Sequence, residues 1–263
     1  MPVIQSLLFH VPSWLLCSLM ILLYVGVSVA GLLFIRKYYP HHKCKLHNDV
    51  AGFIFATLGV IYAVLLAFIV VVVWQDFDRA QDATSTEAAC ITGLYRDSTP
   101  FPTEFRATLK SKLTEYVKAI IDDEWQTMAK GRRSVKAHET LEELWKLYGG
   151  FQPKGETQRV FFEESVRKLN QAAEARRQRI VYSGSGINSL LYFVLFVGSV
   201  ITISFTLLFG TENIVPHLIM VASLAAMIAI TLFIIISLDY PFTGDICVST
   251  DVFTNTLETL TRP

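Results

Sequence analysis

Four long stretches of this chain contain no charged residue: Val11 to Ile35, Val50 to Trp74, Ile187 to Gly210 and Ile214 to Leu238. A bilayer core about 30 Å thick is crossed by roughly 20 helical residues, and each stretch is that long or longer. Core helices of a large soluble protein would need polar faces, which these segments lack. Four transmembrane helices are therefore expected, at about 11–35, 50–74, 187–210 and 214–238. Trp14, Tyr38, Tyr39, Trp74, Tyr192 and Tyr240 sit near their ends, where such rings suit the headgroup layer. The first span has no Lys or Arg before it and exceeds the apolar core of a secretory signal, so it is expected to be retained.

Composition agrees with a membrane protein: 52% of residues are hydrophobic and 17% charged, against roughly a quarter charged in soluble domains. Lys and Arg total 23, as do Asp and Glu, and the formal net charge of +0 provides no basic field to gather nucleic acid. The four cysteines form no CxxC pair, which excludes a cysteine-dense secreted scaffold.

Most of the charge falls between the second and third spans. Residues 75–186 read as one helical soluble domain, between a first transmembrane pair in 1–74 and a second in 187–238, with 239–263 as a short C-terminal tail. Phe77, Ala80, Ala83, Glu87, Cys90, Ile91 and Leu94 recur at helical spacing, as do Phe105, Leu109, Leu113, Tyr116, Ile120 and Ile121. Leu141, Leu144, Trp145 and Tyr148 mark a third helix, and Thr157 offers an N-cap for a fourth over about 158–182. No helix breaker lies between Gly52 and Arg96, so the second span is expected to run on into the first soluble helix. The fold class is all-α, four transmembrane helices with a helical soluble domain inserted between the second and third.

Proton-coupled pumps and many ion-coupled transporters hold ionisable groups at membrane depth, and these spans have none there, His217 and Asp239 being only at span ends. They carry instead small residues at four-residue spacing, which let helices approach closely. On the second span Gly52, Ala56, Gly59, Ala63 and Ala67 form one such stripe. It reads either as a seam inside a four-helix bundle or as the lining of an axis shared by several subunits, where an apolar constriction can gate by dewetting. Gly198, Thr202, Thr206 and Gly210 form a stripe on the third span, and Ala222, Ala226 and Ala229, or Ala225 and Ala229, on the fourth.

Asn48 and Asp49 precede the second span as an N-cap or a channel mouth. Glu87 shares the face of Ala80, Ala83 and Leu94, so its carboxylate points inward and requires a cation; Arg96, Arg176, Arg177 and Arg179 are the candidates. Ion pairing at the domain base and an ion path are both open to it. The same two readings apply to Glu124 and Trp125, and Asp239 closes the fourth span. His41, His42, Cys44 and His47 are metal-ligating residue types. Their spacing matches no closed zinc pattern, and Lys43 and Lys45 repel a cation, so no metal or other cofactor is expected. No nucleophile elbow, Walker loop, HExxH or GxGxxG is present, and an enzyme is not expected.

The stretches HNDVAGFIFATLGVIYAVLLAF (47–68), WQDFDRAQDATSTEAACITGLYR (74–96), DEW (123–125), EARRQR (174–179) and SLDYPFTGD (237–245) resemble a bacterial membrane family called bestrophin-like. That resemblance implies kinship to bestrophins, pentameric anion channels with four spans per subunit, a second span lining the neck, and helices extending into a soluble domain. It implies for this chain a homo-oligomer in the bacterial inner membrane that conducts monovalent anions. No acidic calcium clasp is found in 239–263, so calcium gating is not expected. The alternative is a non-conducting scaffold or sensor whose helical domain binds a partner or ligand. Orientation is contested. The positive charges after the first span and the acidic residues after the fourth favour a soluble domain outside the cytoplasm. Arg176, Arg177 and Arg179 before the third span, and the bestrophin analogy, favour the inside.

Overall fold

The computed structural model describes residues 3–38, 48–184 and 186–262, among which there is no strand. In chain order the helices are α1 (Val3–His10), α2 (Ser13–Tyr38), α3 (Asn48–Asp97), α4 (Thr103–Ala119), a π turn (Ile120–Glu124) continuing into α5 (Trp125–Met128), α6 (Val135–Gly149), α7 (Gly155–Gly184), α8 (Ser189–Thr206), α9 (Ile214–Leu238) and α10 (Asp251–Thr261). Four of them, α2, α3, α8 and α9, are long and apolar enough to cross a membrane. The chain is an integral membrane protein. Helix α3 runs unbroken for 50 residues, and only the π turn separates α4 from α5. The chain divides into two units, one of Met1–Phe9, Asp76–Ser185 and Tyr240–Pro263, the other of His10–Gln75 and Gly186–Asp239.

The first unit is built like a water-soluble domain. Ile91 and Leu94 of α3, Leu109, Leu113 and Ile120 of α4 and the π turn, Leu144 of α6, Leu169 of α7 and Phe253 of α10 are almost wholly buried in one cluster. Each such side chain contributes about 1.5–3 kcal/mol over leaving it in water. Phe101, Phe105, Tyr148, Phe151 and Phe162 extend that cluster through edge-on and tilted rings 4.3–5.9 Å apart. Ser134 caps α6, its Oγ accepting the Ala137 N–H at 3.0 Å, while its hydroxyl donates to Asp123. Gly131, with φ of 66°, turns the chain after α5, and a Cβ there would stand 3.1 Å from the Gln5 amide oxygen. That amide comes from α1 and donates to Thr243 Oγ1 (3.3 Å) and the Ala129 carbonyl (3.4 Å). Two local expectations differ. Thr157 is not the cap of the fourth soluble helix: α7 begins at Gly155, and Gln158 Oε1 reaches back to the Lys154 N–H at 2.8 Å. Residues 251–261, which show no long apolar run, form an amphipathic helix that buries Phe253, Thr256 and Leu260.

The second unit holds the spans. Helix α9 lies along α2, with Ala225 and Ala229 fully buried, so of the two small-residue sets on the fourth span this one faces inward. The ring of Tyr62 on α3 occupies the space left by Gly198 on α8, where a Cβ would stand 2.5 Å from Tyr62 Cε2. Tyr62 Oη donates to the Leu195 carbonyl at 3.0 Å, and the rings of Phe55, Phe205 and Phe209 cluster further along. His217 Nε2 donates to the Thr206 carbonyl at 3.0 Å, tying the third span's end to the fourth span's start. Outward lie Leu22, Phe53, Leu190 and Met227, which suits lipid rather than water.

Candidate functional site

Inside the first unit four charged groups are buried together. Glu87 comes from α3, Glu124 from the π turn, and Arg176 and Arg179 from α7. The π turn contributes an extra residue, which offsets the following turn by about 100°. Glu124 and Met128 are both buried there, and Trp125 is half-buried beside them. Arg179 is wholly buried: Nε donates to Glu87 Oε2 (2.8 Å), and Nη2 to Glu87 Oε1 (3.2 Å) and Glu124 Oε2 (2.7 Å). Its Nη1 approaches Met128 Sδ at 3.1 Å. The rings of Trp125 and Phe253 each lie 5.5 Å from its guanidinium carbon. Arg176 completes the set with Nε and Nη2 on Glu124 at 3.2 and 2.5 Å.

Two carboxylates and two guanidiniums sum to zero charge, which is how such a group tolerates burial. Burial opposes the charge on Arg179, but Glu87 and Glu124 outweigh it and hold the pKa above its ordinary value. Arg176 is raised in the same way, burial opposing and Glu124 prevailing. Tyr116 Oη donates to Glu87 Oε1 at 2.6 Å; burial first, and the Glu87 charge second, push its hydroxyl well above the usual tyrosine range. It stays a proton donor. This arrangement locks α3, the π turn, α5 and α7 together, with Glu87, Glu124 and Arg179 wholly buried and Arg176 at its edge.

The remaining sequence candidates lie elsewhere. Arg96 is exposed, its Nε 3.6 Å from Asp97 Oδ1, and Arg177 is exposed on Glu174 at 2.9 Å. Asp97 is itself buried and paired with Lys168. Asn48 exchanges two hydrogen bonds with the backbone of Gly210, donating at 2.8 Å and accepting at 3.0 Å, while Asp49 is exposed. Asp239 accepts the Ile187 N–H (2.8 Å) and the Tyr192 hydroxyl (2.6 Å), joining the start of the third span to the end of the fourth. His41, His42, Cys44 and His47 lie outside the described residues, among which no cluster of metal-ligating side chains occurs.

On the second span Ala56, Ala63 and Ala67 are exposed, and Gly52 and Gly59 half-buried. The face of α3 that meets its own bundle is instead Tyr62, Ile69 and Val73, about 100° around the helix. Met128, Phe253 and the Asp97–Lys168 pair were not singled out from sequence, and Tyr116 was read there only as part of a helix face. Helical spacing offered a signal only for Tyr116, which continues the Leu109–Leu113 face.

The family model described as Bestrophin-like domain matches residues 22–253. Among solved structures, one variant of a bacterial bestrophin homologue from Klebsiella pneumoniae aligns with a TM-score of 0.73 at 14% identity, covering 93% of this chain and 97% of that one. A second variant of that homologue gives 0.71 at 16% identity, covering 94% and 99%. The same homologue phased on zinc gives 0.71 at 13% identity, covering 92% and 96%. No match was found among curated proteins. At these identities the structural likeness is one of fold.

Proposed function

The chain belongs to the bestrophin-like family, and on that premise we propose that it is a channel subunit: a homo-oligomer in the bacterial inner membrane, conducting monovalent anions along an axis lined by the second span. The observation that carries this reading is on α3. Its small-residue stripe at Ala56, Ala63 and Ala67 is left uncovered by its own subunit, while the neighbouring face at Tyr62, Ile69 and Val73 is filled. Small residues suit the close approach of copies around an axis, and a charge-free lining suits gating by dewetting. Residues 75–186 form the inserted domain in this reading, outside the cytoplasm by the charge count of the flanking segments. The neutral network of Glu87, Glu124, Arg176 and Arg179 then serves as a rigid base rather than an ion path.

Planar-bilayer recording of the purified oligomer tests conduction. Currents carried by chloride are expected, and Ala63→Trp should abolish them while leaving the oligomer intact by size-exclusion chromatography. Silence of the intact wild-type oligomer in every monovalent salt would replace the channel with the scaffold or sensor. Labelling of an exposed Glu163→Cys variant by an impermeant reagent in intact cells checks the side.

A further inference from the structure

A half-open cavity of about 340 Å³ lies in the helical domain where the start of α6 faces the C-terminal half of α7. That volume is at the lower end of the range for small-molecule sites. Its polar lining is cationic or hydroxylic: Arg133, His138, Arg176, Arg177 and Ser134, with no carboxylate among the lining residues. Its apolar walls are Val135, Ala173 and Ile180.

The arginines are held in position from behind. Arg176 is more than nine-tenths buried and gives Nε and Nη2 to Glu124. Arg177 gives Nε and Nη2 to Glu174, both at 2.9 Å. In each guanidinium Nη1 has no hydrogen-bond partner among the described residues. A fork fixed on one side by a carboxylate and open on the other is oriented to receive a second oxyanion without losing side-chain freedom. Arg133 and His138 form no ion pair or hydrogen bond among the described residues, so Arg133 brings a charge that no described residue pairs with. The cavity also lies at the N-terminus of a 15-residue helix, whose dipole adds to the same field.

We propose that this cavity binds a small organic anion, a carboxylate or phosphate group on an apolar body: the oxyanion on Nη1 of Arg176 and Arg177 with Arg133 closing over it, the body against Val135, Ala173 and Ile180. The walls exclude a bare inorganic ion as the best-fitting occupant, since it would leave them facing water. The site stands or falls independently of conduction.

Titration calorimetry on the full-length protein in phosphatidylcholine nanodiscs tests it, with phenyl phosphate and benzoate as probes and inorganic phosphate as comparison. Saturable binding of at least one aromatic probe is expected, with inorganic phosphate weaker by about tenfold or more. Arg133→Ala and Val135→Asp, both at exposed positions that leave the fold undisturbed, should each weaken the probe by about tenfold or more. Lys112→Ala, in the middle of α4 and not among the residues that line the cavity, should leave it unchanged. Absence of saturable probe binding, equal affinity for inorganic phosphate, or an equal loss in Lys112→Ala would overturn the proposal. Loss of probe binding when the discs contain phosphatidylglycerol would also overturn it, assigning the cavity to a lipid headgroup.

Discussion

In the unit containing Asp76–Ser185, Glu87, Glu124, Arg176 and Arg179 are buried within hydrogen-bond reach of one another, whereas the span unit buries hydroxyls, an imidazole and small residues. Its buried carboxylate, Asp239, stands at a helix end and accepts a backbone N–H and a tyrosine hydroxyl. The difference follows from what the surroundings supply. A domain in water has an apolar core to stabilise it, and a neutral quartet inside that core adds geometric definition. Helices in lipid gain no such drive from apolar contact and associate through close fit and neutral hydrogen bonds. Unpairing a charge should therefore damage the first unit most, and removing a close fit should damage the second.

The largest effect is expected at Glu87. Glu87→Ala leaves Arg179 without two of its three carboxylate hydrogen bonds while its guanidinium remains fully buried. Breaking a buried pair from one side costs about 3–5 kcal/mol. Chemical denaturation followed by Trp fluorescence should show that loss. Replacing the quartet together by apolar residues of similar volume should recover much of it, and failure to recover would mean that the charges do more than satisfy one another.

Tyr116 gives the next effect and a pH signature. Tyr116→Phe removes a hydroxyl donating to a charged acceptor, a loss of about 1.5–3 kcal/mol. An unfolded tyrosine ionises near pH 10, about where the folded hydroxyl, raised by burial and then by Glu87, still holds its proton. The folded state thus binds the proton more tightly, so this contribution is whole below about pH 10 and declines as pH rises beyond it. Melting curves at pH 8 and pH 10.5 should show a smaller alkaline loss in the Phe variant. The decline persists in part, because burial pushes Tyr148 up to about 12 in the same window.

Gly198→Ala tests the span unit. A Cβ at 2.5 Å from the Tyr62 ring cannot be accommodated without moving a side chain anchored at its hydroxyl. Overfilling of this kind costs about 1–3 kcal/mol. Combined with Tyr62→Leu the cost should be much less than the sum of the singles, which a double-mutant cycle in detergent measures. Additivity would mean that the two residues do not share the contact.

Much of this was readable from residues alone where one physical period dominates. Charge-free runs of span length fixed the four crossings, and the lack of a breaker between Gly52 and Arg96 agreed with the unbroken α3. The periodic face of α3 turned Glu87 inward, but choosing Arg179 over Arg96, Arg176 and Arg177 needed the third dimension, since all four sit at plausible helical positions. The π turn had no sequence signature, and without it Glu124 and Trp125 could not both be placed. Helix α10 was missed because its apolar residues, Val252, Phe253, Leu257 and Leu260, are sparse and its core partners are far away in sequence. The stripe at Ala56, Ala63 and Ala67 kept two readings in sequence; only the position of Tyr62 shows which face its own bundle uses.

Tyr62→Phe should produce the smallest effect, and it sharpens the contrast most. Tyr62 and Tyr116 are both buried tyrosines whose hydroxyls donate, one to the Leu195 carbonyl at 3.0 Å and the other to Glu87 at 2.6 Å. The lipid-side bond joins neutral partners, and hydrogen bonds between membrane helices average about 0.6 kcal/mol. The Leu195 carbonyl lies within α8 and has its helical partner as well, so losing the hydroxyl leaves no bare acceptor. The ring stays in the Gly198 gap, which is where most of the contribution of Tyr62 resides. Equal losses for the two Phe variants, measured side by side by denaturation in the same detergent, would contradict the idea that charge organises one unit and fit the other. A several-fold larger loss for Tyr116→Phe is the expected result.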